Sequence, residues 1–119
     1  MFKVFTKDDG LDSKGFVKAA KKFGLNKEEI ELVAYDNFLA SLIFMLAVSK
    51  KKLYVFSTDS KKPEVFDTSD YLKLLIDKKT DLNLYLKGGR IINLTSVVGV
   101  KAIVIKTTKE LAEKLNSLR

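Results

Sequence analysis

The sequence predicts an α+β fold: a strongly curved antiparallel sheet closed by a C-terminal helix and preceded by an N-terminal strand–helix extension. Three observations carry this reading. Short runs rich in Val, Ile, Leu, Phe and Tyr recur from Ile30 onward, separated by turn-forming residues. Residues 14–23 have a helical period instead, with Phe16, Ala20 and Phe23 on one side and Lys14, Lys18, Lys21 and Lys22 on the other. Near the end, Thr107-Thr108-Lys109-Glu110 has the form of a capping box, opening a helix with Leu111, Leu115 and Leu118 on one face.

Taken in order, Phe2-Lys3-Val4-Phe5-Thr6 alternates as a short strand, and Lys7-Asp8-Asp9-Gly10 is turn-prone. Asp12 or Ser13 caps the first helix, and Gly24 ends it through the left-handed conformation glycine tolerates. Residues 28–49 form a nearly continuous apolar stretch that periodicity alone assigns to neither helix nor strand. Two strands are expected, because Ile30, Leu32 and Ala34 alternate with Glu31, Val33 and Tyr35. Asp36-Asn37 is the expected turn, and Leu42 to Val48 the second, buried strand. Leu53 to Thr58 is a further strand, followed by a polar turn at 59–63 that contains the only proline. Val65-Phe66 and Tyr71 to Ile76 read as extended or short-helical. Leu82, Leu84 and Leu86 mark a half-buried strand, Gly88-Gly89 a two-residue hairpin turn, and Arg90 to Thr95 the return strand. Ala102 to Ile105 is expected as one more strand before the final helix.

With 119 residues the chain is one domain's worth, 1–119. A globule of that size buries roughly two thirds of its unfolded surface. Cysteine and histidine are both absent. That removes thiolate chemistry, disulfides, zinc–thiolate sites, the commonest general base and the commonest transition-metal ligand. The start has no signal-peptide pattern, and the most apolar run, Phe38 to Val48, is far shorter than the about 20 residues of a membrane span. A cytoplasmic protein is the expectation.

About seven short strands, a late glycine hairpin and a closing helix together resemble the bacterial pleckstrin-homology-like (PH-like) domains. The resemblance covers about 28–119 and leaves 1–27 as an added strand and basic helix. It rests on Ser49-Lys50-Lys51-Lys52-Leu53-Tyr54-Val55-Phe56, on the hairpin at 82–94 and on the helix at 107–118. It implies a PH-like barrel used as an interaction scaffold. Phosphoinositide-binding members carry basic residues between their first two strands, where this chain has Tyr35-Asp36-Asn37-Phe38, so the resemblance does not extend to inositide recognition.

The formal net charge is +7, from 20 lysines and only two arginines. Lysine attracts polyanions as a point charge but lacks the guanidinium's bidentate grip on phosphate or guanine. Two clusters are candidate anion-binding residues: Lys14, Lys18, Lys21 and Lys22 on the first helix, and Lys50, Lys51 and Lys52 between two strands. Ala20, Gly24 and Ile30 have the outline of a helix-turn-helix. However, the segment that would read DNA carries Glu28, Glu29, Glu31 and Asp36, which repel phosphate. Gly88-Gly89-Arg90 lacks the residues of a phosphate loop. Asp8, Asp9 and Asp12 lack calcium-loop spacing and suit capping instead. The expectation is therefore a non-catalytic module acting through protein–protein contacts or self-association, without cofactor or metal. The alternative is a basic module that binds nucleic acid or anionic membrane non-specifically through its lysines.

Overall fold

The computed structural model describes residues 2–58, 62–96 and 102–118. In chain order it has β1 (Phe2–Thr6), α1 (Lys14–Phe23), β2 (Ile30–Phe38), β3 (Ser41–Ser49), β4 (Lys52–Ser57) and β5 (Glu64–Asp67). Then come β6 (Tyr71–Asp77), β7 (Asp81–Leu86), β8 (Arg90–Thr95) and α2 (Ala102–Leu118). The strands make two antiparallel sheets, β1-β2-β3-β4-β5 and β6-β7-β8, and do not close into a barrel among the described residues. The α+β class and the C-terminal helix are as expected.

The run that periodicity left ambiguous is β, and its packing explains why the centres of its two strands are apolar on both faces. Along β2 and β3, Leu32, Ala34, Phe44, Leu46 and Val48 face the smaller sheet and α2. The intervening Val33, Tyr35, Met45 and Ala47 pack with Phe16 and Ala19 of α1. A strand covered on both faces buries every residue, so it loses the alternation that marks a one-faced strand. A register shift between Ile30 and Leu32 turns Ile30 to the α1 side as well.

Several expectations are corrected. The β2–β3 turn is not Asp36-Asn37 but Leu39-Ala40, with Phe38 opposite Ser41. Tyr35 pairs with Met45, and this register keeps both apolar sets on their own faces, since a one-residue slip would exchange them. The second correction concerns 102–105, which is the start of α2 and not a strand. Val104, Thr108, Leu111, Leu115 and Leu118 recur at helical spacing on the inward side. Burial of that stripe overrides the β preference of the branched residues at 103–105. The Thr107–Glu110 pattern therefore lies inside the helix and not at its start. The centre of the polar turn expected at 59–63 lies outside the described residues.

Helix α1 follows its local signals. The Ser13 hydroxyl accepts from the Phe16 amide at 3.4 Å, and Gly24 ends the helix at φ 67°, donating its N–H to the Ala20 carbonyl. Between β7 and β8 the loop is Lys87-Gly88-Gly89, one residue longer than expected, with both glycines at positive φ.

Candidate functional site

Helix α2 lies beside β6, the edge strand of the smaller sheet, and also reaches β1. The space between α2 and β6 is a groove of about 640 Å³. Its floor and walls are Leu74, Leu75, Ile76, Ile105, Thr108 and Ala112, and Lys79, Lys109, Glu113 and Asn116 complete the lining. Leu75 is 39% exposed and Ile105 36%, so apolar surface stays open to solvent along the groove. Thr108 is buried, and its hydroxyl has no hydrogen-bond partner among the described residues. β6 pairs with β7 on one side, and no described strand pairs its other side. An edge of this kind still presents backbone donors and acceptors.

The two lysine clusters separate in three dimensions. Lys14, Lys18, Lys21 and Lys22 are all exposed along α1, which covers the outer face of the larger sheet. Lys18 Nζ sits 4.7 Å from the Tyr35 ring centroid and Lys22 Nζ 3.8 Å from that of Phe56. Lys18, Lys21 and Lys22 share a concavity of about 420 Å³ with Asn37, Ala40, Leu42 and Met45. Lys50 and Lys51, in the β3–β4 turn, line a different one with Glu28, Glu29 and Glu31. Lys52 starts β4 and pairs with Asp67 of β5 at 2.7 Å. That hydrogen bond and charge raise the Lys52 ammonium above its ordinary pKa and hold the Asp67 carboxyl below the usual range. The structure therefore does not bring the seven lysines into one site.

Asp12, one of the two expected caps of α1, forms an ion pair with Lys27 at 2.5 Å, which lowers its pKa. The cap is Ser13. Among the described residues no group of three or more Asp, Glu, His or Cys gathers as a metal site. Arg90 of β8 clamps both carboxylate oxygens of Glu64 on β5 at 2.7 Å, tying the two sheets together.

A polar chain not foreseen in the sequence crosses the outer side of the smaller sheet. The Asn83 amide donates to Asp77 at 2.8 Å, and the Tyr85 hydroxyl donates to the same carboxylate oxygen. The Asn93 amide donates to Asn83 Oδ1 at 2.9 Å, and Ser96 donates to Asn93 at 3.1 Å. The Tyr85 hydroxyl, then the Asn83 amide, lower the Asp77 pKa, while the carboxylate raises that of Tyr85.

The groove is not legible in the sequence, because the β-branched residues at 103–105 favour a strand where α2 makes its first turn. The one available signal was the spacing of Val104 and Thr108 ahead of the leucines. No family model matches the chain, and no curated protein or solved structure matches it. No helix among the described residues is long and apolar enough to cross a membrane.

Proposed function

We propose that the protein is a non-catalytic interaction module that receives an extended peptide segment of a protein partner between β6 and α2. The carrying observation is the 640 Å³ groove along the β6 edge, with Leu75 and Ile105 exposed in it. A peptide in that groove satisfies the edge's backbone groups as an added strand, while its alternate side chains meet Leu75, Ile105 and Ala112. Lys79, Lys109 and Glu113 supply charges that set orientation and preference. The lack of histidine and cysteine supports the non-catalytic part.

A PH-like relationship belongs to the same proposal. With β1 and α1 set aside, β2–β5 and β6–β8 are seven strands followed by one helix, the order the resemblance implies.

The test is selection of random phage-displayed peptides on the full chain, followed by affinity measurement on variants. Ile105→Asp and Leu75→Asp change exposed side chains, so stability should move by less than about 1 kcal/mol. Selected peptides should lose roughly tenfold or more in affinity for either variant, and bind Val17→Asp, on α1, as they bind the parent. Equal binding to Ile105→Asp would remove the groove from the proposal. A concentration-dependent dimer abolished by Ile105→Asp would identify the partner as a second copy.

A further inference from the structure

We infer a second binding surface, independent of the groove: the β2–β3 hairpin tip and the lysines of α1 dock on an anionic lipid bilayer. Phe38 and Leu39 enter the boundary between headgroups and acyl chains, while Lys18, Lys21 and Lys22 meet the anionic headgroups.

The first observation is the tip itself. Phe38 is 68% and Leu39 85% exposed, above every other large apolar side chain described, and they are adjacent in sequence. Neither packs in a core cluster. Leu39 and Ala40 stand at φ 49° and 66°, the left-handed pair that a type I′ hairpin loop requires and that Asn-Gly adopts most easily. Lys78 and Lys79 adopt similar angles in the β6–β7 turn, but their side chains are charged and suit water. The β2–β3 tip combines a backbone that Leu and Ala resist with apolar surface that water disfavours. Such departures from local rules mark functional positions.

The second observation is charge. Ala40 of the tip shares its concavity with Lys18, Lys21 and Lys22, and no carboxylate lines it among the described residues. The concavity at Lys50 and Lys51 carries three glutamates instead. An apolar anchor beside a cationic rim fits an anionic bilayer, which rewards both at once. A polyanion alone makes no use of Leu39, and two protruding side chains offer far less than the about 800 Å² per partner of a stable protein interface.

The experiment is co-sedimentation of the full chain with phosphatidylcholine vesicles, with and without about 30 mol% phosphatidylserine, at low salt where attraction is least screened. The parent should bind the anionic vesicles only. Changing Lys18, Lys21 and Lys22 to Gln should weaken binding about fivefold per lysine. Changing Leu39→Asn together with Ala40→Gly should weaken it roughly tenfold or more. That pair suits the turn and should raise the thermal midpoint, so its loss of binding is not unfolding. Lys50→Gln with Lys51→Gln should bind as the parent does. The chain has no tryptophan, so Phe38→Trp reports the tip alone, and its emission should shift to the blue on anionic vesicles. No parent binding, or an unshifted emission from bound Phe38→Trp, overturns the proposal. Binding of duplex DNA in place of vesicles would make the lysines a nucleic-acid surface. A dimer dissolved by the Leu39–Ala40 double change would make the tip a self-association contact.

Discussion

A Cβ built at Gly15 would meet Phe5 Cδ1 at 2.3 Å and Cγ at 2.5 Å, closer than non-bonded atoms approach. The Phe5 ring is stacked on Tyr35 with centroids 5.6 Å apart, so it cannot swing aside without giving up that contact. Alanine is the better helix former, yet Gly15→Ala should destabilise by about 1–3 kcal/mol through overpacking, measured by urea midpoint. An unchanged midpoint would mean that α1 rides further from β1. A second residue-scale prediction concerns acid. Asp77 has a folded pKa below its unfolded value, so its stabilising contribution is present above about pH 4. It is lost as pH falls through the folded value. Tyr85→Phe removes the first cause of that shift, and the decline in urea midpoint between pH 5 and 2 should become shallower than the parent's. Parallel declines would show that the hydroxyl–carboxylate bond does not form in solution.

At the scale of elements, α2 is the sharpest test. Were 102–105 a strand and the helix begun near 107, proline at 106 would lie outside the hydrogen-bonded helix and cost little. In α2 the amide of exposed Lys106 is four residues past Ala102 and within reach of its carbonyl. Lys106→Pro should then cost about 3 kcal/mol, read from chemical denaturation. The groove should suffer with it, because Ile105 and Thr108 flank that position.

For the whole molecule, the controlling feature is that β3 sits between two cores. Leu46 belongs to the core shared with the smaller sheet and α2, Met45 to the core beneath α1, and both are about 1% exposed. Leu46→Ala and Met45→Ala should each cost about 2–5 kcal/mol. A strand covered on one face would show a large effect at only one of the two positions. A small effect at Met45 would mean that α1 is a loosely held appendage. The same arrangement sends the lysines to separate surfaces, since α1 covers one face of the sheet while the β3–β4 turn lies at its end.

Much of the local structure was legible in the residues. Ser13 and Gly24 mark the ends of α1, Leu82, Leu84 and Leu86 the half-buried β7, and the glycines the last hairpin. The absence of His and Cys, and the charge of +7, bounded the chemistry before any fold was known. These signals act over a few residues, through capping, period and the φ that a side chain permits, so they survive without tertiary information. The turn at Leu39-Ala40, the start of α2 at Ala102, the β6–α2 groove and the partition of the lysines did not have that character. Each was decided by which faces are covered: a turn that no local rule favours is held by the register of two buried faces. Likewise, a β-branched run becomes helical because its inward stripe continues into Thr108, Leu111 and Leu115. Burial free energy is shared among residues far apart in sequence, and it outweighs the local preferences of the few residues it overrules.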